Sequence, residues 1–333
     1  MKTVRMIGLA LFAILLCVNF TSCSSNDDVE PDAPQKPKEY VVSLGFTGEI
    51  SVSESPLSRA SGNDLYGIQV YSCPNVDGAT TYTYYAYGLF DDTDLMNIKL
   101  LEGYKYKFVA TMVVDGKENI YSLKGKFTSP FAGIGKYNEL SNGFTFSNND
   151  YMPLFSGYAK FKFNDKYLDN NHAVIDRYYG EYIDYIPGEV NTVEISMKRT
   201  VFGVKFIAEN LTEGSVGVKM EHTPEMSITY PSTNIEYIIN FLEQNKAYSE
   251  ENYSETIPTE LIWTKADGVV VPLGTHNITF KRNVLTTVTI KVADVTTENG
   301  IGLELEATEM GAEDITIENG EIVDTNVTPE TGQ

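Results

Sequence analysis

The chain is dominated by short runs in which apolar and polar residues alternate, the period-two pattern of β-strands. In Tyr104-Lys105-Tyr106-Lys107-Phe108 the aromatic residues fall on one face of such a strand and the lysines on the other. Runs of this kind cover residues 40–46, 65–72, 82–89, 96–101, 104–114, 119–123, 157–163 and 191–197. No convincing helical pattern lies between them, so residues 39–198 are predicted to form an antiparallel β-sandwich.

The turn chemistry of this first part fits the strand pattern. Asp115-Gly116 is a hairpin signal between the run at 104–114 and the run at 119–123. Residues 129–150 are rich in Gly, Asn and Ser and are predicted to form a long loop.

A second set of strand-like runs begins after Arg199 and predicts a second antiparallel β-sandwich over residues 199–333. Its runs cover residues 200–208, 215–221, 261–264, 276–280, 285–292, 301–307 and 315–323. Asp267-Gly268 and Asn319-Gly320 have the composition of hairpin turns. The exception is 235–242, where Ile235, Ile238 and Leu242 are at helical spacing and predict a short helix. The whole chain is therefore expected to be an all-β protein with two tandem domains.

The first 38 residues follow a different pattern. Lys2 and Arg5 precede a short apolar segment, and small residues lead to Cys23, so residues 1–22 are predicted to be a signal peptide. Cys23 after two small residues resembles a lipobox, which predicts lipidation of its sulfur and anchoring in the cell outer membrane. Phe20 stands where such signals usually carry Leu, so an ordinary secretory signal is the alternative. Residues 23–38 hold acids and prolines and predict a flexible tether.

The charge of the chain argues against nucleic acid as a partner. The formal net charge is -21, and loss of Lys2 and Arg5 with the signal peptide makes it more negative still. A chain of this charge is repelled by phosphate backbones and by anionic lipid headgroups.

No constellation of catalytic or metal-binding residues stands out, so we predict a protein that is not an enzyme and needs no cofactor or metal. The three histidines are far apart and lack ligand spacing, and Cys73 is a lone cysteine in the body of the chain. The acids of 91–94 could hold Ca²⁺, but they lack an EF-hand pattern and fit a solvated loop better. Clusters of tyrosine at 82–87 and 178–182 suit sheet packing, with an aromatic face for a sugar or a protein as the alternative.

Three further stretches resemble the fimbrillin family of type V pilus proteins, and the likeness in layout covers the whole chain. They are Leu57-Ser58-Arg59-Ala60, residues 198–206, and residues 280–285 followed by the alternating run at 287–290. The resemblance implies two transthyretin-like sandwiches and export to the surface as a lipoprotein. It also implies cleavage between Arg59 and Ala60 by an arginine-specific protease. That cut would remove the first strand, at residues 40–46, and open a groove.

In that scheme a strand from another pilin-like subunit fills the groove, and residues 314–324 are the candidate donor. A sheet edge over an apolar groove is a template for such β-augmentation. The leading hypothesis is therefore a fimbrial or cell-adhesion lipoprotein, with a host protein or glycan left open as a further partner. The second hypothesis is a glycan-binding lipoprotein of a polysaccharide-uptake system, and the third is a surface hydrolase.

Overall fold

A computed structural model describes residues 37–52, 62–149 and 151–292, and the backbone of three later strands at 303–309, 313–318 and 321–323. Cys23, Arg59 and Ala60 therefore lie outside the described residues. Almost all regular structure is β. Short helices occur at α1 Glu49–Val52, α2 Gly116–Asn119 and α3 Gln244–Ser249. None of the helices in this part of the chain has the length and apolar character needed to cross a membrane.

Strands before residue 200 form an eight-stranded sheet in the order β4-β1-β13-β12-β5-β2-β3-β9. Its strands are β1 Glu39–Gly48, β2 Leu65–Pro74, β3 Thr83–Phe90, β4 Asn97–Leu101, β5 Tyr104–Val113, β9 Gly143–Phe146, β12 Arg177–Tyr185 and β13 Thr192–Arg199. Small sheets beside it contain β6 Ser122–Leu123, β7 Lys126–Phe127 and β8 Asn138–Glu139, and β10 Ala159–Phe163 with β11 Lys166–Asn170.

The eight-stranded sheet curls round a core of its own. Its two edge strands, β4 and β9, approach each other, and the Tyr85 hydroxyl on β3 donates a 2.9 Å hydrogen bond to the Lys99 carbonyl on β4. The enclosed cluster includes Val42, Ile68 and Phe108, all fully buried. Because alternate side chains of each strand point inwards, the curl removes them from water together.

Strands after residue 200 form two further sheets, in the orders β17-β14-β20-β21-β22-β23 and β16-β15-β18-β19. Their strands are β14 Val201–Glu209, β15 Ser215–Met220, β16 Met226–Thr229, β17 Asn234–Asn240, β18 Ser254–Thr264, β19 Val270–Lys281, β20 Val284–Lys291, β21 Leu303–Glu309, β22 Glu313–Glu318 and β23 Glu321–Val323. A second apolar cluster lies between these sheets and includes the stacked rings of Phe202 and Phe280.

The prediction of an all-β protein built from packed sheets is confirmed. The boundary at residue 199 stays a prediction. Sheet membership changes there, yet the second apolar cluster continues across it to Leu65 and Phe161 of the first part.

The predicted helix at 235–242 is wrong. Residues Asn234–Asn240 are β17, an edge strand that pairs antiparallel with β14. Its β-branched isoleucines suit a pleated strand, and the available edge of β14 outweighs the helical spacing of the apolar positions.

Three other local expectations also differ from the structure. Asp115 adopts a left-handed backbone with φ of 50° and begins helix α2, so Asp115-Gly116 is not a two-residue hairpin turn. The expected loop at 129–150 contains β8 and β9. The sheets are also not purely antiparallel, because β1 runs parallel to β13 and β14 parallel to β20. Parallel partners are distant in sequence, so a pattern of short runs does not reveal them.

Candidate functional site: strand β1 and its position in the sheet

Strand β1 is the first described strand, and it is an inner strand of its sheet. Residues 39–43 pair antiparallel with β4, and residues 43–48 pair parallel with β13. The amide of Ser43 donates to the Asn191 carbonyl at 2.8 Å, and that of Leu44 donates to the Met96 carbonyl at 2.9 Å. Without β1 these two neighbours would each expose an unpaired edge.

The side chains of β1 alternate between core and solvent. Val42 is fully buried and Leu44 is 4% exposed, whereas Val41 is 56% exposed. Phe46 stacks on Tyr66 of β2 with ring centroids 5.5 Å apart. Burial, with a smaller contribution from the charge of Asp64, raises the pKa of Tyr66 to about 12, so this contact stays neutral and apolar at physiological pH. The buried face of β1 therefore consists of Val42 and Leu44, with the stacked rings of Phe46 and Tyr66 beside them.

The end of β1 is fixed by a glycine and then by an acid. Gly48 has a φ of 82°, and a Cβ there would lie 2.7 Å from the Met197 carbonyl oxygen, so both the backbone conformation and the space require glycine. The chain then enters α1, and Glu49 Oε2 accepts a 2.7 Å hydrogen bond from the backbone amide of Arg199. Both carboxylate oxygens of Glu49 lie 2.9 Å from Nη1 of Arg282.

The two arginines that Glu49 contacts are themselves enclosed. The Arg282 side chain is 7% exposed and also donates to the Arg199 carbonyl at 3.1 Å. The Arg199 guanidinium makes two 2.8 Å hydrogen bonds to the carboxylate of Asp176. Arg282 lies in the turn between β19 and β20, so Glu49 connects the end of β1 to strands that follow residue 200.

Sequence reasoning did not identify Glu49 or Arg282. Nothing close to either residue signals the pair, since 233 positions separate them. The site residues that it did identify, Cys23, Arg59 and Ala60, fall in segments outside the described residues, and all three remain predictions. The described chain stops at Val52 and resumes at Gly62, so Arg59 lies on the connection that follows β1 and α1.

The histidines are partly brought together. His172 is buried, with Nδ1 3.1 Å from the Asn240 carbonyl and Nε2 3.4 Å from Glu255. The His222 ring lies 6.4 Å from that of His172, whereas His276 contacts the Leu273 carbonyl elsewhere. Burial lowers the pKa of His172, against the opposing pull of the Asn240 carbonyl and Glu255.

The acidic cluster at 91–94 is engaged in local structure. Asp91 forms an ion pair with Lys117 and accepts a 2.7 Å hydrogen bond from Asn142, while Asp92 caps the short turn at Thr93–Leu95. The hydrogen bond from Lys117 and the charge of that lysine lower the pKa of Asp91. Among residues 37–52, 62–149 and 151–292, no three His, Cys, Asp or Glu side chains are grouped so that they could hold a metal ion.

Most of the clustered tyrosines contribute to sheet packing. Tyr178 and Tyr179 are buried, and Tyr85 packs edge-on against Tyr106. Trp263 is 5% exposed and its indole N–H donates to the Glu213 carbonyl at 3.3 Å, so the single tryptophan is not a surface platform. Cys73 is a buried free thiol.

Comparison with known proteins finds similar solved structures but no similar sequences. No family model matches the sequence, and no curated protein matches it. The chain is similar to the tip fimbrial protein Mfa3 from Porphyromonas gingivalis, solved with a C-terminal truncation, at 10% identity and a TM-score of 0.34. That match covers 82% of this chain and 100% of the other. It is also similar to a fimbrial assembly protein from Parabacteroides distasonis, at 11% identity and a TM-score of 0.31, covering 83% and 96% of the two chains.

These matches name fimbrial proteins, the class that the sequence resemblance indicates. Both TM-scores lie below 0.5, so the function has to be argued from the residues of this chain.

Proposed function

We propose that the chain is a non-enzymatic surface lipoprotein of the fimbrial or cell-adhesion type, held in the outer membrane by lipid on Cys23 and assembled by exchange of strand β1. The observation that carries the proposal is the position of β1 between β4 and β13 in the sheet. It is bonded on both sides within its sheet, and the connection that follows it contains Arg59. Removal of β1 would leave two strand edges over an apolar groove, a site that an extended strand of another subunit can fill.

The arginines of the chain make cleavage at Arg59 selective. The sequence has arginines at 5, 59, 177, 199 and 282, and the first lies in the predicted signal peptide. Arg177 is fully buried, and the side chains of Arg199 and Arg282 are 6% and 7% exposed. A protease specific for arginine needs an extended, accessible segment, which these three positions do not offer in the folded protein. Arg59 is then the expected site of a single cut.

Cleavage alone should not release β1 quickly. Burial of Val42 and Leu44 stabilises the strand by about 1.5–3 kcal/mol each, and the backbone pairs and Glu49 add to this. An incoming strand must therefore replace these contacts as it displaces β1. Residues 314–324, the candidate donor, cover most of β22 and all of β23, the two outermost strands at one end of their sheet. Their departure would break the pairing of β22 with β21 and leave the other strand pairs of that sheet in place.

The test is limited digestion of the purified full-length protein with an arginine-specific endoprotease. The expected result is one cut, located between Arg59 and Ala60 by mass, followed by an SDS-resistant ladder as residues 314–324 of one chain displace β1 from the next. Arg59→Lys keeps the charge and should resist the enzyme and stay monomeric, and Lys38→Ala should behave as the unmodified chain. Cutting elsewhere, or a cleaved chain that loses β1 and remains monomeric, would contradict the proposal.

A further inference from the structure

A surface beside the small sheet β6-β7-β8 combines tyrosine rings with lysines. Two neighbouring cavities of about 260 and 510 Å³ share Lys126, Tyr137 and Tyr151 in their walls. Lys124 and Lys136 line the larger cavity, and Glu139 lines the smaller one. We call this region the tyrosine–lysine surface.

The charge of this surface is opposite to that of the chain as a whole. Its walls carry three lysines and one acid, Glu139, which lies 3.4 Å from Lys126. The chain has a formal net charge of -21, so the sign of this local charge differs from that of the whole chain. Within a screening distance of about 8–10 Å such a group attracts an isolated anion, while the acidic remainder of the protein repels a long polyanion.

The tyrosines supply aromatic area that is held in place. Tyr151 stacks on Tyr87 with ring centroids 4.2 Å apart, its hydroxyl donates to the Tyr137 carbonyl, and Lys136 Nζ lies 5.7 Å from its ring. Burial raises the pKa of Tyr151, which therefore stays neutral. Tyr137 is 38% exposed and lines both cavities.

The backbone under this surface is also fixed. Lys124 and Gly125, with φ of 53° and 75°, form the tight turn between β6 and β7 and place Lys124 at its tip. The amide of Gly133 donates to the Tyr151 carbonyl at 2.9 Å, and that of Lys136 donates to the Gly133 carbonyl at 2.8 Å. The surface is thus formed before any ligand arrives, which lowers the entropic cost of binding.

We propose that the tyrosine–lysine surface binds carbohydrate that carries carboxylate or sulfate groups. The apolar C–H face of a sugar ring packs on Tyr137, and lysine ammonium groups donate charge-assisted hydrogen bonds to the anionic substituent. A neutral sugar would bring no anion to Lys124 and Lys136, whereas Lys126 already has Glu139 beside it. A nucleic acid would bring a run of phosphates against an acidic protein. This proposal stands whether or not strand β1 is exchanged.

The test is titration calorimetry of the full-length protein with oligogalacturonate, chondroitin sulfate oligosaccharides and neutral maltooligosaccharides. Binding of the carboxylated probe, the sulfated probe or both is expected, weakening as salt is raised, with no binding of the neutral probe. The pair of anionic probes identifies which substituent is recognised.

Variants locate the site. Lys126→Gln with Lys136→Gln should weaken binding at least about ten-fold, which is the scale of one charge-assisted hydrogen bond. Tyr137→Ala should also weaken it, whereas Tyr137→Phe should bind as the unmodified chain because only the ring is used. Lys162→Gln with Lys219→Gln, exposed lysines outside both cavities, makes the same change in net charge and should leave affinity unchanged.

Three results would overturn the proposal: equal binding of the neutral probe, equal weakening by the control pair, or no binding of either anionic probe at millimolar concentration. Circular dichroism of each variant separates loss of binding from loss of fold. None of these measurements involves cleavage at Arg59. A negative binding result would therefore not bear on the displacement of β1, which the limited digestion tests separately.

Discussion

Glu49 contacts Arg282 through both carboxylate oxygens, each 2.9 Å from Nη1, although 233 positions separate the two residues. Glu49 follows directly on β1, and Arg282 lies between β19 and β20. The Arg282 side chain is 7% exposed, and its Nε is buried without a hydrogen-bond partner. Glu49 is therefore the main compensation for a charge that is largely removed from water. If the chain is cut at Arg59, the departing segment takes this carboxylate with it.

Replacement of Glu49 tests that compensation. Glu49→Gln should lower the free energy of unfolding by about 2 kcal/mol, because the buried guanidinium loses its anionic partner. Glu251→Gln is the control, since Glu251 lies 3.9 Å from the same arginine and 2.9 Å from Lys198 but has a side chain that is 74% exposed. Ion pairs made by a carboxylate this exposed are expected to contribute less than about 1 kcal/mol. Urea unfolding of both variants measures the difference, and equal effects would show that burial does not matter here.

Adjacent valines on β1 give a second matched pair. Val42→Ala removes fully buried methyl groups and should cost about 2 kcal/mol, whereas Val41, 56% exposed, should tolerate the same change at a cost below about 0.5 kcal/mol. In the digestion experiment Val42→Ala should also speed exchange of β1, because the strand is held less tightly. Thermal unfolding and the rate of ladder formation measure the two effects. If both valines cost the same, β1 is not seated as the structure shows.

The sequence predicted most strands because their alternation is local. The alternation at residues 65–72 and 104–114 predicts strands, and β2 and β5 form there. The interior position of β1 could not be predicted, since it depends on β13, about 150 positions away, and on the curl of the sheet. The burial of Arg177 is similar. Its guanidinium donates to the carbonyls of Ser156 and Leu154 and to the Thr111 hydroxyl, partners that only the folded chain brings together.

Cys23 is the predicted point of attachment to the membrane. Cys23→Ser should abolish labelling by a radioactive fatty acid and move the protein from the membrane fraction to the soluble or secreted fraction, because one or more acyl chains supply about 0.8 kcal/mol for each buried CH₂. Cys17→Ser is the control within the apolar export segment and should leave both properties unchanged. Retention of label in Cys23→Ser, or its loss in Cys17→Ser, would place the lipid on another residue.

The lowered pKa of His172 predicts that the stability of the protein depends on pH. Burial lowers its pKa from an ordinary value of 6.5, against the raising influence of the Asn240 carbonyl, Glu255 and Glu221, and the neighbouring His222 adds to the lowering. Below pH 6.5 the unfolded chain therefore binds a proton that the folded chain resists, so the free energy of unfolding falls as pH drops and is fully retained above pH 6.5.

Replacing this histidine should remove that dependence. His172→Asn keeps a donor for the Asn240 carbonyl but cannot titrate, so its unfolding free energy should fall less between pH 7 and pH 5 than that of the unmodified chain. Urea unfolding across that range measures the two slopes, with His276→Asn as the control for removal of a histidine from another part of the fold. Equal slopes for His172→Asn and the unmodified chain would mean that acid sensitivity arises at other groups, and a steeper slope for His172→Asn would reverse the assigned sign.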